Sequence, residues 1–380
     1  MSRSTIELAS AFSTPPYPRL DALLDVIGRA NLVQAMKKCS LDESFIDKQR
    51  SLLATTKGMF RPEVSLALKR ASEGNCSVAK AHIFSVLALG GWKGRVSLDV
   101  GDPTYVFFAG LQVELHGKFE LVSTGDYLAV ESGSECRVLL LRSEEKWNPA
   151  IQDTWTIIPS SEVVPFAIID SGAVLEDLDF PDKNKSPNSR GRELSSPSLT
   201  KEVTHLQAAC KLLADHSGVY YQWIKSYVKY CYLANLDQSS TDTSGTTHQQ
   251  LGAIYLNIHP TVCLTAETLV HECSHLALYA ACCLEPIVEP GSEEYFYSPV
   301  KRTARPLEMV FFAAHATVNV VRFLRDVKNS VGLLPQEQEE LDRWESWLSS
   351  DYASAIRSAQ TLTAFGRQIW AHCERELESP

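Results

Sequence analysis

The segment from Thr265 to Tyr279 constrains the fold more than any other part of this chain. It reads T-A-E-T-L-V-H-E-C-S-H-L-A-L-Y and contains the pattern H-E-x-x-H. Two histidines four residues apart share a face only on a helix, so the segment must be helical for them to act together. Its residues favour that. Thr265 suits an N-cap, and Glu267 falls where a first turn welcomes negative charge. Leu276, Ala277 and Leu278 are good helix formers that carry the helix onward. On such a helix His271 and His275 aim two imidazoles at one ion. Glu272 lies one step round, within reach of a ligand on that ion. The competing reading is a pair of partly buried histidines on an ordinary helix, with no metal.

Two histidines do not complete a metal site. A second helix is expected from Arg305 through Arg322, with Pro306 in its first turn. Glu308, Phe312, His315, Asn319 and Arg322 form one stripe at spacings of 4, 3, 4 and 3. Polar groups on an otherwise apolar helix need partners. His315 is the first choice for a third ligand and Glu308 the second, with the other orienting it. Against these stand a satisfied core histidine and a surface acid. Two histidines with a carboxylate suit both non-haem iron(II) oxygenases and zinc peptidases, so ligand identity leaves the chemistry open.

The stretch before that helix, Tyr295 to Arg305, is basic and rich in hydroxyls, with Tyr297, Ser298, Lys301, Arg302 and Arg305. Arginine pairs with carboxylates through two parallel hydrogen bonds, and a helix N-terminus adds positive potential. An anionic co-substrate would dock here beside the metal. The alternative is a solvated loop balancing Glu293 and Glu294, which is favoured for Lys301. The strand expected at 252–258 would serve either as an edge for an extended peptide or as a buried support for the metal helix, the latter being favoured.

The rest of the chain divides by texture. Residues 1–92 read as a helical region, with helices around Leu20–Ile27, from Pro62 onward, and around Ile83–Leu87 ended by Gly90-Gly91. Residues 93–180 read as β-rich, with short runs at 95–99, 104–114, 119–129 and 136–142, followed by 155–158 and 163–169. Residues 181–200 are polar and rich in Ser, Pro and Asn, and are expected to be a linker or mobile loop. Residues 201–380 form the mainly helical metal-binding part. The expected class is α+β, mainly helical, with a small antiparallel β region.

A formal charge of -10 argues against a general nucleic-acid binder. The apolar stretches 276–284 and 309–321 fall short of a membrane span, and no secretory signal is visible. The ten scattered cysteines contain no C-x-x-C pair. Cys282 and Cys283 are expected to be core residues, and a reducing cytoplasm is the simplest compartment.

Taken in order, G-A-I-Y-L-N (252–257), A-E-T-L-V-H-E-C-S-H (266–275), Y-S-P-V-K-R-T-A-R-P-L (297–307) and the F-F-A-A-H-A helix resemble the H-E-x-x-H family of peptide-modification proteins. The family is associated with biosynthesis of ribosomally made, modified peptides (RiPPs). The resemblance spans roughly 205–330, about a third of the chain. It implies an Fe(II)- and 2-oxoglutarate-dependent β-hydroxylase of peptide side chains. It makes His271 and His275 iron ligands, places His315 in the helix that should supply the third, and makes Arg305 and Arg302 candidates for binding 2-oxoglutarate. Its partner would be a peptide with a leader or carrier segment, for which residues 1–200 would be a docking module. The alternative is a zinc-dependent peptidase or amide hydrolase in which Glu272 is the general base. A third class is a non-catalytic binding protein with a closed structural metal site.

Overall fold

In the computed structural model, residues 9–15, 17, 19–101, 104–108, 111–133, 135–143, 146–149, 156–158, 160–170, 197–233 and 244–378 are described. The fold is a mixed α+β one, mainly helical, with N-terminal helices, a small β region and C-terminal helices.

Four N-terminal helices follow one another: α1 (Leu20–Lys38), α2 (Glu43–Thr55), α3 (Pro62–Ser72) and α4 (Cys76–Leu89). Pro62 opens α3, where its missing N–H costs nothing, and Gly90 caps α4, as the sequence predicts. Helix α2 is not anticipated. Its signal is Asp42, whose carboxylate accepts from the amides of Ser44 and Phe45.

The strands β1 (Gly94–Asp99), β4 (Lys118–Ser123), β5 (Tyr127–Ser132), β6 (Glu135–Ser143) and β7 (Lys146–Pro149) form an antiparallel sheet in that order. β2 (Thr104–Phe108) and β3 (Leu111–Leu115) form a separate hairpin. The runs at 104–114 and 119–129 each hold parts of two strands, the second pair turning at Gly125-Asp126. This β region shares a core with α1–α4.

The strands at the end of the β-rich region belong elsewhere. β8 (Thr156–Ile158) and β9 (Ala167–Asp170) join a second sheet, ordered β11-β12-β10-β9-β8, with β10 (Tyr230–Leu233), β11 (Ser244–Gly245) and β12 (Ala253–Leu256). β9, β10 and β12 run parallel, with an antiparallel strand at each end. Residues 93–180 are thus split between two sheets. The linker expected at 181–200 lies outside the described residues up to 196, and 197–200 already belong to α5 (Pro197–His216). β12 is buried between β10 and β11, so it supports the neighbouring helix and is not an edge. Gly252 turns the chain into it at φ +93, where a Cβ would lie 3.1 Å from the Phe60 carbonyl oxygen.

The remaining elements are α6 (Gly218–Tyr227), α7 (Val262–Cys282), a hairpin of β13 (Tyr295–Ser298) and β14 (Thr303–Pro306), α8 (Leu307–Ser330), α9 (Pro335–Trp347), α10 (Ala353–Ser358) and α11 (Ala364–Glu378). The basic stretch read as a loop or helix start is that hairpin. Pro306 is the N-cap of α8 and not in its first turn. Helix α8 is long and apolar enough to cross a membrane by length and composition, but 78% of its apolar window is buried inside the fold. Packing against α7 accounts for that apolarity. The same core takes in residues from the 9–13 helical turn. At the end of α7, Cys282 is half-buried and Cys283 exposed, so the expectation that both are core residues does not hold. All ten cysteines are free thiols.

Candidate metal centre

The H-E-x-x-H residues lie in the middle of α7. The helix begins earlier than its sequence suggests: Thr261 is the N-cap, its hydroxyl accepting from the Leu264 amide at 3.1 Å. Thr265, the expected cap, sits inside the helix and accepts from the His259 amide. Glu267 therefore lies beyond the first turn and is only 7% exposed.

His271 and His275 converge. Their Nε2 atoms are 3.1 Å apart and their rings nearly perpendicular. Trp344 of α9 packs 5.7 Å from the His271 ring and Phe312 of α8 packs 6.0 Å from the His275 ring. Burial pushes His271 down to about 4. His275 is pushed well below its ordinary value, by burial first and then by the charges of His271 and His315. Both are neutral imidazoles at neutral pH, the form that binds a metal. Two nitrogens each ~2.0–2.1 Å from one ion, at an angle between octahedral and tetrahedral, are about 2.8–3.4 Å apart. The observed separation fits that range, and it also fits a hydrogen bond between the two rings.

Glu272 points into the same space. Its Oε1 accepts from the Ser244 hydroxyl of β11 at 2.6 Å, while Oε2 is buried without a partner. Burial pushes this carboxyl up to about 7, against the lowering effect of Ser244.

These side chains form the floor of a cleft of about 1460 Å³. Asn31 of α1 and Lys69 of α3 line one wall, so the N-terminal helices contribute to the site directly. The turn of the β13–β14 hairpin, α8 and α9 supply the others.

The third-ligand candidates part company. Glu308 is exposed and lines the cleft. His315 is fully buried and does not line it. Its Nε2 donates to the carbonyls of Phe12 and Ser13, at 2.8 and 2.7 Å. In this structure His315 is a buried core histidine tied through Nε2, while its Nδ1 is buried without a partner. Its stripe is explained in the same way. Asn319 donates to the Ser13 carbonyl and accepts from the Tyr220 hydroxyl, and Arg322 pairs with Glu376. Among the described residues, no group of three or more His, Cys, Asp or Glu side chains is gathered to hold a metal. The donors present fit a metal through two protein nitrogens, without a third protein ligand in place.

Of the residues expected to bind a co-substrate, Arg305 and Ser298 line the cleft. Arg305 lies on β14 and not on the helix. Its Nη2 donates to the Met309 sulfur, and it has no ion pair among the described residues. Ser298 is buried near Tyr352. Tyr297 is 52% exposed and Arg302 occupies the hairpin turn at φ 53, and neither lines the cleft.

Two lining residues escape the sequence reading. Ser244 is inconspicuous within a Ser/Thr/Gly/Gln stretch. Tyr279 was readable, since it follows His275 by four positions on the same helix. Its hydroxyl is pushed up to about 12, chiefly by burial and then by Glu272 and Glu308.

No protein-family model matches the chain, and no curated protein is similar to it.

Proposed function

We propose that this chain is a non-haem iron(II)- and 2-oxoglutarate-dependent oxygenase that hydroxylates a side-chain β-carbon of a peptide, in the cytoplasm, during biosynthesis of ribosomally made, modified peptides. The observation that carries a metal enzyme is the His271–His275 pair, neutral and 3.1 Å apart on the floor of a wide cleft. The choice of iron and of a peptide rests on the ordered resemblance across 252–322.

With 2-oxoglutarate and O2, ferrous iron supplies an oxidant strong enough to hydroxylate an unactivated carbon. The protein's part is to bind and orient. His271 and His275 would hold the ion. Arg305, a cation on the cleft wall with no ion pair among the described residues, would take a carboxylate of 2-oxoglutarate. The Phe312 and Trp344 rings flank the histidines and keep water from the reacting carbon. Glu272, tied to Ser244, would orient what binds beside it.

The test is spectroscopic. Metal-free protein is given Fe(II) and 2-oxoglutarate without oxygen, and the visible spectrum is recorded. A metal-to-ligand charge-transfer band is expected, and it should vanish in His271→Ala.

One observation favours a second reading, a zinc-dependent amide hydrolase. Glu272 has a buried, unpartnered Oε2 and is pushed up to about 7, which suits a general base near neutral pH. Absence of the band together with tight zinc binding would shift the reading there, and loss of hydrolysis in Glu272→Gln would then be expected.

A further inference from the structure

Helix α7 carries a carboxyl that neither reading uses. Glu267 lies four residues before His271, lines the cleft and is 7% exposed. The only side-chain hydrogen bond it receives among the described residues is a long one, 3.4 Å from the neighbouring Thr268 hydroxyl. The cation acting on it, Arg343 of α9, is committed to Glu340, to which its Nη2 is bonded. Glu340 adds a second negative charge against Glu267.

Trp344 also lines the cleft. It is 8% exposed, packs against His271, and its indole Nε1 is buried without a partner. A carboxyl shut in with one weak donor and an acidic neighbour is unfavourable unless a cation meets it. A carboxylate beside an aromatic ring is a recognition set for ammonium and guanidinium groups. Lys301 and Arg305 also line the cleft.

We propose that Glu267 and Trp344 form a cation subsite that seats an ammonium or guanidinium group of the substrate next to His271 and His275. The substrate class is then a molecule with a lysine-like or arginine-like base close to the reacting position. As a statement about substrate this rests on the metal-enzyme reading. As a binding site it needs no metal.

The test separates the two. The full-length protein, stripped of metal, is titrated by calorimetry with N-acetyl-arginine amide and with N-acetyl-citrulline amide, which has nearly the same shape but no charge. The arginine probe should bind about tenfold more tightly or better, the scale of one hydrogen bond between charged groups. That preference should disappear in Glu267→Gln, with a thermal melt no lower than wild type at pH 8 to show that the variant is folded. Equal binding of the two probes by the wild type, no binding of either, or an undiminished preference in Glu267→Gln would overturn the subsite. Metal titration of the same wild-type sample reports on the other reading. Arginine preference without metal binding leaves the subsite standing and removes the metal centre, and the converse result does the opposite.

Discussion

His315 and the pair His271–His275 lie on adjacent helices, and burial depresses the basicity of all three. Burial and titration do not tell them apart; hydrogen-bonding partners do. The Nε2 of His315 is used twice over by the Phe12 and Ser13 carbonyls, and its ring packs against Trp223. The Nε2 atoms of His271 and His275 have only each other, and they face a cleft. A buried polar atom whose bonds are met is holding the fold. One whose bonds are met only by its twin is available to a ligand.

The sharpest way to break this contrast is to delete His315. His315→Ala removes a packed ring and takes the His315 donor from the Phe12 carbonyl, while the Ser13 carbonyl keeps Asn319, so we expect a loss of about 3–5 kcal/mol in urea denaturation. Metal affinity should persist in whatever fraction remains folded. Stability within about 1 kcal/mol of wild type, with metal lost instead, would exchange the roles of the two regions.

Acid should sharpen it next. The folded-state value of His315 is about 4, below the ordinary 6.5, so the unfolded chain takes up its proton first as pH falls. The stability contributed by this group is present above 6.5 and is lost between 6.5 and 4, on the order of 3 kcal/mol at the acid end. Glu267 works in the other direction: burial raises it to about 8, so its contribution is present below its unfolded value and fades as pH rises toward 8. Comparing wild type with His315→Gln isolates the histidine. The difference in melting temperature should be roughly constant above pH 6.5 and shrink below it. A difference that stays constant down to pH 4 would remove this account.

The smallest effect on stability belongs to the pair. In metal-free protein, His271→Ala should change unfolding free energy by less than about 1 kcal/mol, because the ring is only half-buried and its one hydrogen bond is to the neighbouring imidazole. The same change should abolish the rise in melting temperature that Fe(II) or Zn(II) gives the wild type. A destabilisation as large as that of His315→Ala would make the pair a structural element after all.

Much of this was readable from the chain, and the failures share a cause. The H-E-x-x-H helix, the Pro62 start and the Gly90 end are set by residues within one or two turns, and they were legible. The stripe Glu308-Phe312-His315-Asn319-Arg322 was correctly seen to need partners, but those partners are Phe12, Ser13, Tyr220 and Glu376, which no local spacing reveals. β9 was legible as a strand. Its pairing with β10, across residues 171–196, was not. The β13–β14 hairpin hid because its strands are four residues each and its turn, Ser298 to Thr303, is basic. Ser244 carries no signal of its own and matters only because β11 brings it to Glu272.

The turn at residues 9–13 has a consequence for how the molecule is made. The Ser13 hydroxyl donates to the Ile369 carbonyl, Cys373 donates back to the Ser13 carbonyl, and Phe12 packs edge-on against Phe365. Residues 356 positions apart in sequence are thus fastened together in the first of these bonds. The core behind the histidines closes only after the slow search that such distant contacts impose. Until then the part of α8 that the turn covers, around His315 and Asn319, lies open, and a chaperone that holds such faces would find its substrate there.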